Sequence, residues 1–383
     1  MISDLDHRQM QRALLLAKRG LYTTSPNPRV GCVLVKDNAV IGEGFTQPAG
    51  QDHAEICALK DARMRGYTPT GSTAYVTLEP CSHFGRTSPC ANSLIEAGIH
   101  RVIVAMEDPN PQVSGRGLAM LRDAGVDVHC GLFAHEAQEL NIGFVSRMTR
   151  GVPWVRLKMA TTLDGRTALP DGQSQWITSY AARIDGHAWR ARACAILTGI
   201  GTVRVDNPQM TVRGVLTPRQ PLRVLVDSQL NVRRDARILT GAPSLIICEH
   251  DNKELITQAH ALRAAGAEVI ALPNSCGRGV DLPAVLRLLA TRGVNELHVE
   301  AGHTLNGALL QENCVDELLL YIAPAILGNT TGMFNFEPPS ALDQRMLLHY
   351  YSIKRIGEDL RVLARLASNT SNNVRRINDL HLQ

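Results

Sequence analysis

The stretches HAEICAL at residues 53–59 and LEPCSHFGRTSPC at residues 78–90 decide how the first part of this chain is interpreted. They place one histidine, one glutamate and two Pro-Cys pairs close together in the sequence. Three nitrogen and sulfur ligands suit zinc and leave a fourth coordination position for water, as in catalytic zinc sites. Glu55 is then available as the catalytic acid–base. The zinc ligands predicted from this pattern, for one ion per chain, are His53, Cys81 and Cys90.

The spacing of the two cysteines leaves other interpretations open. Nucleobase deaminases combine H-x-E with P-C-x-x-C, whereas eight residues separate the cysteines here. The cysteines could be ordinary buried thiols beside a surface histidine. A purely structural zinc site is a further alternative, with His83 as a fourth ligand, but it gives Glu55 no role.

The composition indicates a two-domain globular enzyme. The chain has 383 residues, of which 44% are hydrophobic and 20% charged. Basic residues barely outnumber acidic ones (40 against 36) and aromatics are only 4%, which argues against a nucleic-acid surface. The nine scattered cysteines are typical of a reducing compartment. Because we find no signal peptide and no apolar run of about 18 residues, we expect a cytoplasmic protein without a membrane span.

Strands alternate with helices along both parts of the chain. The pattern at 30–45 predicts two strands around the turn Asp37-Asn38, and HAEICALKDARMRG predicts a helix that ends at Gly66. Such alternation over about 140 residues predicts one α/β layer sandwich. A basic, Gly-Pro-marked stretch at 144–160 is interpreted as a boundary, and a second α/β alternation follows it. We therefore predict two domains, residues 1–148 and 149–383.

The motifs TSPNPRVGCVLV, YVTLEPCSHFGRTSPC, DPNPQVSGRGL, LKMATTLDGR and VEAGHTLNGALL together resemble the bifunctional riboflavin-biosynthesis deaminase/reductase family. The resemblance covers nearly the whole chain. It implies a cytidine-deaminase-like α/β/α sandwich followed by a dihydrofolate-reductase-like α/β domain. It also implies zinc-dependent deamination of 2,5-diamino-6-ribosylamino-4(3H)-pyrimidinone 5′-phosphate. NADPH-dependent reduction of the ribosyl group would then give 5-amino-6-(5-phosphoribitylamino)uracil.

The resemblance also implies the ligand contacts of the second domain. By themselves, its Gly-containing turns TGIGTV and VEAGHTLNGALL could bind phosphate or be plain strand-to-helix turns. The implied NADPH contacts are Ala160, Trp176, Thr202, Asp206, Ser228, Gly302, His303, Thr304, Leu305, Asn306, Gly307 and Ala308. The implied substrate contacts are Ser174, Arg190, Met210, Arg213 and Glu300. We predict that Arg190 and Arg213 bind the phosphate, and that Asp206 is either the catalytic acid of the reduction or a cofactor contact.

Five residues depart from the pattern of that family. Thr46 and Ser88 replace a histidine and a proline in the first domain, and Met210, Asn207 and His303 replace a leucine, an acid and a proline in the second. We expect zinc binding to be unaffected by these changes. Of the five changes, Thr46 is the one expected to affect substrate contacts in the deaminase domain.

Two other functional classes compete with this interpretation. One is a nucleoside or tRNA-base deaminase with a nucleic-acid-binding second domain, and the other is a zinc-stabilised binding module without catalysis. The low aromatic content argues against the first, and Glu55 beside a three-ligand site argues against the second. We expect a homo-oligomer, either a dimer or a tetramer, that acts on a small phosphorylated pyrimidine and has no nucleic-acid or membrane partner.

Overall fold

The computed structural model describes residues 2–82, 89–111, 113–241, 243–249, 253–275, 277 and 279–367. The chain divides into two compact units, Met1–Val152 and Pro153–Gln383. The predicted boundary at 148/149 falls four residues earlier, inside a helix that ends at Arg150. His83 and Ser88, named above, lie outside the described residues.

The first unit contains a five-stranded sheet with strand order β2-β1-β3-β4-β5. Strand β1 is antiparallel to β2 and β3, and the remaining pairs are parallel. The elements are α1 (Asp4–Lys18), β1 (Gly31–Lys36), β2 (Ala39–Phe45), α2 (Ala54–Met64), β3 (Thr73–Val76), α3 (Cys90–Glu96), β4 (Arg101–Val104), α4 (Arg116–Asp123), β5 (Asp127–Cys130), α5 (Ala134–Leu140) and α6 (Ile142–Arg150). The predicted turn at Asp37-Asn38 is confirmed, since both residues have positive φ, at 49° and 63°.

Hydrophobic residues lie on both faces of this sheet. On β1, Cys32 and Leu34 belong to a core cluster that also contains residues of α2, α3 and α4. Val33 on the same strand belongs to a second cluster, with Met10 of α1 and Ala137 of α5. Side chains alternate between the two faces of a strand, so β1 contributes to both cores. The predicted α/β/α sandwich is confirmed.

The second unit contains a nine-stranded sheet with strand order β11-β10-β9-β8-β12-β6-β13-β16-β15. All neighbouring pairs from β11 to β13 are parallel, and the last two pairs are antiparallel. Its elements are β6 (Trp154–Thr162), β7 (Arg166–Ala168), α7 (Tyr180–Arg192), β8 (Ala195–Gly199), α8 (Ile200–Asp206), β9 (Leu222–Val226), β10 (Ser244–Cys248), α9 (Lys253–Ala264), β11 (Ala267–Ala271), α10 (Leu282–Thr291), β12 (Glu296–Val299), α11 (His303–Gln311), β13 (Glu317–Ala323), β14 (Thr331–Gly332), β15 (Leu348–Ile356) and β16 (Asp359–Leu366). Strands β7 and β14 form a separate two-stranded sheet.

The first part of the basic stretch interpreted as a boundary is helical, and its last part is strand β6. Residues 144–150 are the greater part of α6, which buries Ile142 and Phe144. Arg147 and Arg150 lie in its last turn, where positive charge is favourable to the helix dipole. Arg147 and Arg150 therefore mark a helix end, and the first unit continues past it to Val152. No helix in the described part of the chain is long and apolar enough to cross a membrane.

Candidate active sites

Three elements bring the predicted zinc ligands together in the first unit. His53 is the N-cap residue of α2, Cys90 is the first residue of α3, and Cys81 follows β3. His53 Nδ1 lies 3.7 Å from Cys81 Sγ and 3.4 Å from Cys90 Sγ, and the three ligand atoms lie within 4.8 Å of one another. Tetrahedral zinc with bonds of about 2.0–2.3 Å places its ligand atoms roughly 3.5–3.8 Å apart. The donor set and its spacing therefore fit zinc.

The start of α3 stabilises a thiolate at Cys81. The backbone N–H of Cys90 donates to Cys81 Sγ at 3.3 Å. Hydrogen bonds from the Cys90 thiol, from His53 and from this backbone group hold the pKa of Cys81 well below its usual range. Thiolate is the form of cysteine that binds a metal.

Glu55 lies in the first turn of α2, beside the three ligands. Its side chain is only 3% exposed, and it forms a hydrogen bond with the Cys90 side chain. Burial raises the pKa of Glu55 to about 7. A buried carboxyl group beside these ligands would be suited to proton transfer if zinc were bound by His53, Cys81 and Cys90.

Two glycines of β2 allow α2 to approach the sheet closely. A Cβ at Gly44 would lie 2.3 Å from the carbonyl oxygen of Ala54, and a Cβ at Gly42 would lie 2.4 Å from that of Ala58. Both distances are far shorter than van der Waals contact, so any side chain would push the helix away. Gly44 thereby determines how closely the turn that carries His53 and Glu55 lies to the sheet. Thr46, the departure noted above, is 3% exposed, and its backbone N–H donates to Val30 at 3.0 Å.

A group of charged side chains surrounds Glu300 in the second unit. Arg190 of α7 donates from Nε and Nη2 to the two carboxylate oxygens of Glu300, at 2.5 and 2.8 Å. Lys158 Nζ of β6 lies 3.8 Å from this carboxylate, and His298 Nε2 of β12 lies 3.1 Å from it. Although burial opposes ionisation, the charges of Arg190 and Lys158 hold the pKa of Glu300 well below its usual range. Glu300 is therefore a carboxylate, fixed in orientation by Arg190.

Lys158 and His298 were missed from the sequence. Lys158 interrupts the apolar strand WVRLKMATT, and a charged residue in the middle of a buried parallel strand is a signal that could have been used. His298 offers no comparable signal, because it lies in a four-residue strand whose positions are all buried.

The predicted cofactor segment lies at the carboxyl ends of two neighbouring parallel strands. Strands β8 and β12 pair side by side, and α8 and α11 follow directly after them. A Cβ at Gly302 would lie 3.8 Å from Thr202 Oγ1, so these two predicted cofactor contacts are adjacent. Gly302, His303 and Thr304 are exposed at the start of α11. Free backbone N–H groups at such a helix start fit a phosphate-bearing cofactor.

The later part of the same segment is packed inside the unit. Asn306 is 2% exposed and donates to the carbonyl of Met333 at 3.3 Å. A Cβ at Gly307 would lie 2.1 Å from the carbonyl oxygen of Asn335. Leu305, which precedes them, approaches Gly199 at the end of β8. Of this segment, only Gly302, His303 and Thr304 are exposed, whereas Asn306 and Gly307 are buried.

The other predicted contacts are spread around the same end of the sheet. Ala160 lies on β6, and Ser228 follows β9. Ser174 is half-buried, and Ala308 lies within α11. Trp176 is 68% exposed, with the guanidinium of Arg183 4.4 Å from its ring centre.

The segment at the end of α8 lies between residues predicted to contact the cofactor and residues predicted to contact the substrate. Asp206 is its last helical residue and accepts a hydrogen bond from Gln175 Nε2 at 3.3 Å. Asn207 adopts a left-handed conformation with φ 41°, and its side-chain oxygen accepts from the backbone N–H of Arg237 at 2.9 Å. That conformation suits asparagine.

The two remaining predicted substrate residues differ in exposure. Met210 is 2% exposed in a hydrophobic core cluster, so its side chain is unavailable to a ligand and only its backbone remains. Arg213 is exposed, and its backbone N–H donates to His187 Nδ1 at 3.1 Å.

Comparison with known proteins relates both units to one family. Residues 3–106 match the cytidine and deoxycytidylate deaminase zinc-binding region, and residues 153–362 match the RibD C-terminal domain. The riboflavin biosynthesis protein RibD of Escherichia coli (strain K12) is 45% identical over 93% of this chain and 98% of that protein. The Haemophilus influenzae protein of the same name is 42% identical over 92% and 95%.

Solved structures give the same relationship. A structure described as Acinetobacter baumannii RibD, form 1, is 40% identical, with a TM-score of 0.86, over 95% of this chain and 99% of that chain. A Thermotoga maritima diaminohydroxyphosphoribosylaminopyrimidine deaminase/5-amino-6-(5-phosphoribosylamino)uracil reductase is 33% identical, with a TM-score of 0.84, over 95% and 99%.

Proposed function

Because the chain belongs to the RibD family of riboflavin-biosynthesis proteins, bifunctional enzymes with a zinc-binding deaminase domain and an NADPH-dependent reductase domain, we propose that it catalyses two consecutive steps on one pyrimidine ribotide. The first is hydrolytic deamination of 2,5-diamino-6-ribosylamino-4(3H)-pyrimidinone 5′-phosphate. The second is reduction of the ribosyl group, which gives 5-amino-6-(5-phosphoribitylamino)uracil. The observation that carries the proposal is the grouping of His53, Cys81 and Cys90 beside the buried Glu55.

In the deamination, Glu55 is the residue that moves protons. Zinc bound by the three ligands supplies a Lewis acid that makes water nucleophilic at neutral pH. Glu55 accepts a proton from the attacking water and delivers it to the departing amino nitrogen. The ring carbon loses its C–N bond to ammonia and gains a carbonyl oxygen. Burial of Glu55 keeps this proton away from bulk solvent.

In the reduction, the charged residues of the second unit hold and orient the ribotide. Bound NADPH supplies the hydride. Arg190 already donates to both oxygens of Glu300, so it orients that carboxylate. Arg213, whose side chain is exposed, is better placed to bind the substrate phosphate. Asp206 is our candidate acid for the ring oxygen of the sugar, which must take up a proton when the ring opens.

We further propose a cytoplasmic homo-oligomer without nucleic-acid or membrane partners. The eight cysteines in the described part of the chain are all free thiols, which suits a reducing compartment. Strand β15 lies at the edge of the nine-stranded sheet and exposes Tyr350 and Ile353, at 74% and 56%. Apolar side chains on an edge strand favour a second copy as the partner.

The experiment that tests the function pairs a metal assay with a coupled activity assay. Purified protein should contain one equivalent of zinc and should oxidise NADPH when given the pyrimidine ribotide. Cys90→Ser should lose most of the zinc and the deamination. It should still oxidise NADPH with substrate that has already been deaminated. Zinc well below one equivalent in the wild type, or full retention in Cys90→Ser, contradicts the proposal.

A further inference from the structure

Glu79 is a buried carboxylate two residues before the zinc-ligand candidate Cys81. Its side chain is 3% exposed, and its backbone N–H donates to the carbonyl of Met106 at 3.0 Å. The mechanism proposed above gives it no task. A buried carboxylate is costly unless it is compensated by hydrogen bonds or an opposite charge.

Four backbone N–H groups compensate Glu79. Its Oε2 accepts from Asp108 and Gly115, both at 3.0 Å. Its Oε1 accepts from Gly117 at 2.8 Å and from Leu118 at 3.3 Å. Gly117 and Leu118 lie in the first turn of α4, where the helix dipole favours a negative charge. One side chain therefore fixes both the segment before α4 and the start of that helix.

The same helix start touches the residue next to the ligand. A Cβ at Gly117 would lie 2.0 Å from the carbonyl oxygen of Pro80, so the backbones of α4 and of the Glu79–Cys81 segment are in direct contact. The backbone N–H of Ala91 in α3 donates to the carbonyl of Cys81 at 3.2 Å. The Glu79–Cys81 segment thus contacts the starts of both helices: Cys81 through α3, and Glu79 and Pro80 through α4.

We propose that Glu79 is a positioning residue that fixes the backbone of Cys81 for zinc binding. The inference depends on the proposed function for the assignment of Cys81 as a ligand. Groups that orient metal ligands without touching the metal commonly change its affinity by about 10–100-fold when they are removed. The carboxylate does this here through backbone groups, because all four of its donors belong to the 108–118 segment.

The test measures zinc release from the full-length protein into a chromophoric chelator. In Glu79→Gln the size is kept, but the side-chain NH₂ group faces N–H donors in place of one carboxylate oxygen. We expect zinc release at least about 10-fold faster than in the wild type. Gly117→Ala adds a methyl group that would clash with the Pro80 carbonyl. It should therefore also make zinc release faster than in the wild type. NADPH oxidation with deaminated substrate should stay at the wild-type rate in both variants.

Asp6→Asn is the matched control for the loss of a buried carboxylate. Asp6 is 2% exposed and accepts hydrogen bonds from the Ser3 backbone at 2.7 Å and from Tyr75 Oη at 2.8 Å, in the cluster on the other face of the sheet. Asp6→Asn should lower the melting temperature and leave zinc release unchanged.

The outcomes separate this inference from the proposed function. Faster release in Glu79→Gln and Gly117→Ala, but not in Asp6→Asn, supports the inference. Wild-type release rates in both folded variants, or equal acceleration in Asp6→Asn, overturn it and leave the proposed function intact. If Glu79→Gln does not fold, the comparison of Gly117→Ala with Asp6→Asn decides. A wild-type protein that binds no zinc overturns the proposed function and this inference together.

Discussion

The first turn of α2 lies directly on β2, because a Cβ at Gly44 would stand 2.3 Å from the carbonyl oxygen of Ala54. His53 immediately precedes that turn, and Glu55 belongs to it. The close approach at Gly44 therefore positions both the predicted ligand His53 and the proposed acid–base Glu55.

Gly44→Ala should impair deamination more than Gly42→Ala. Overpacking costs about 1–3 kcal/mol at either site, since the two clashes are of similar size. Only Gly44, however, lies under the turn that carries Glu55, so we expect kcat for deamination to fall about 10-fold or more in Gly44→Ala alone. Steady-state kinetics and thermal melting of both variants check this. Equal losses of deamination in the two variants would show that general destabilisation is the cause.

Glu55→Gln should keep zinc and lose deamination by about 10³-fold or more. The amide preserves shape but cannot accept a proton from water. Zinc content and both activities should be measured on the same preparation. Reduction of already deaminated substrate should persist, because the reductase residues lie in the other unit. Glu43→Gln, which alters an exposed ion pair with Arg12, should leave both activities unchanged. A joint loss of both activities in Glu55→Gln contradicts the two-site interpretation.

Asp206→Asn distinguishes a chemical role from cofactor binding. If Asp206 is the acid of the reduction, kcat should fall by about 10²-fold or more with little change in NADPH affinity, because the lost interaction exists mainly in the transition state. We expect this result. Stopped-flow reduction and NADPH titration measure the two quantities separately. Weaker NADPH binding, with kcat restored at saturating cofactor, would assign Asp206 to the cofactor instead.

Arg213→Ala should raise KM for the phosphorylated substrate and spare NADPH binding. A charge-assisted hydrogen bond contributes about 1.5–3 kcal/mol, which corresponds to a roughly 10–150-fold change in KM. Arg233→Ala is the matched control, since Arg233 is an exposed arginine paired with Asp235. An unchanged KM in Arg213→Ala would exclude this residue from the phosphate site.

The two units should fold as separate fragments. A fragment of residues 1–152 should bind zinc and deaminate, and a fragment of residues 153–383 should oxidise NADPH. A fragment that ends at the predicted boundary, residue 148, should be less stable by about 1 kcal/mol, or a few degrees in Tm. It loses the end of α6, the left-handed Gly151 that follows this helix, and the hydrogen bond from Ser146 Oγ to the carbonyl of Val152. Insolubility of both longer fragments would contradict their independence.

Local signals were sufficient for most of the first unit. The turn Asp37-Asn38, the helix that ends before Gly66 and the positions of His53 and Cys90 at helix starts all follow from residue types at short separations. The roles of Gly44 and Glu79 could not be predicted in this way. Each depends on how two separate elements pack against each other, namely β2 with α2 and the Cys81 segment with α4, which residue types at short separations do not reveal.

The second unit was predicted less completely. Its parallel strands follow from apolar runs such as that of β6, but β15 and β16 were not assigned. Most of β15 is exposed, so no burial pattern marks its sequence, LHYYSIKRI. Among the site residues, the substrate contact of Met210 stays a prediction, and because its side chain is buried the contact would involve the backbone.

The position of β16 in the nine-stranded sheet has a consequence for the order of biosynthesis. Strand β16 covers the edge of β13 and separates it from β15, although it is made last of the three on the ribosome. The edge of β13 therefore stays uncovered until about residue 366 has been synthesised. The deaminase unit is complete some 200 residues earlier and can fold first, as N-terminal domains generally do during synthesis. A nascent chain stalled after β14 should thus already acquire zinc while its reductase still lacks a closed sheet.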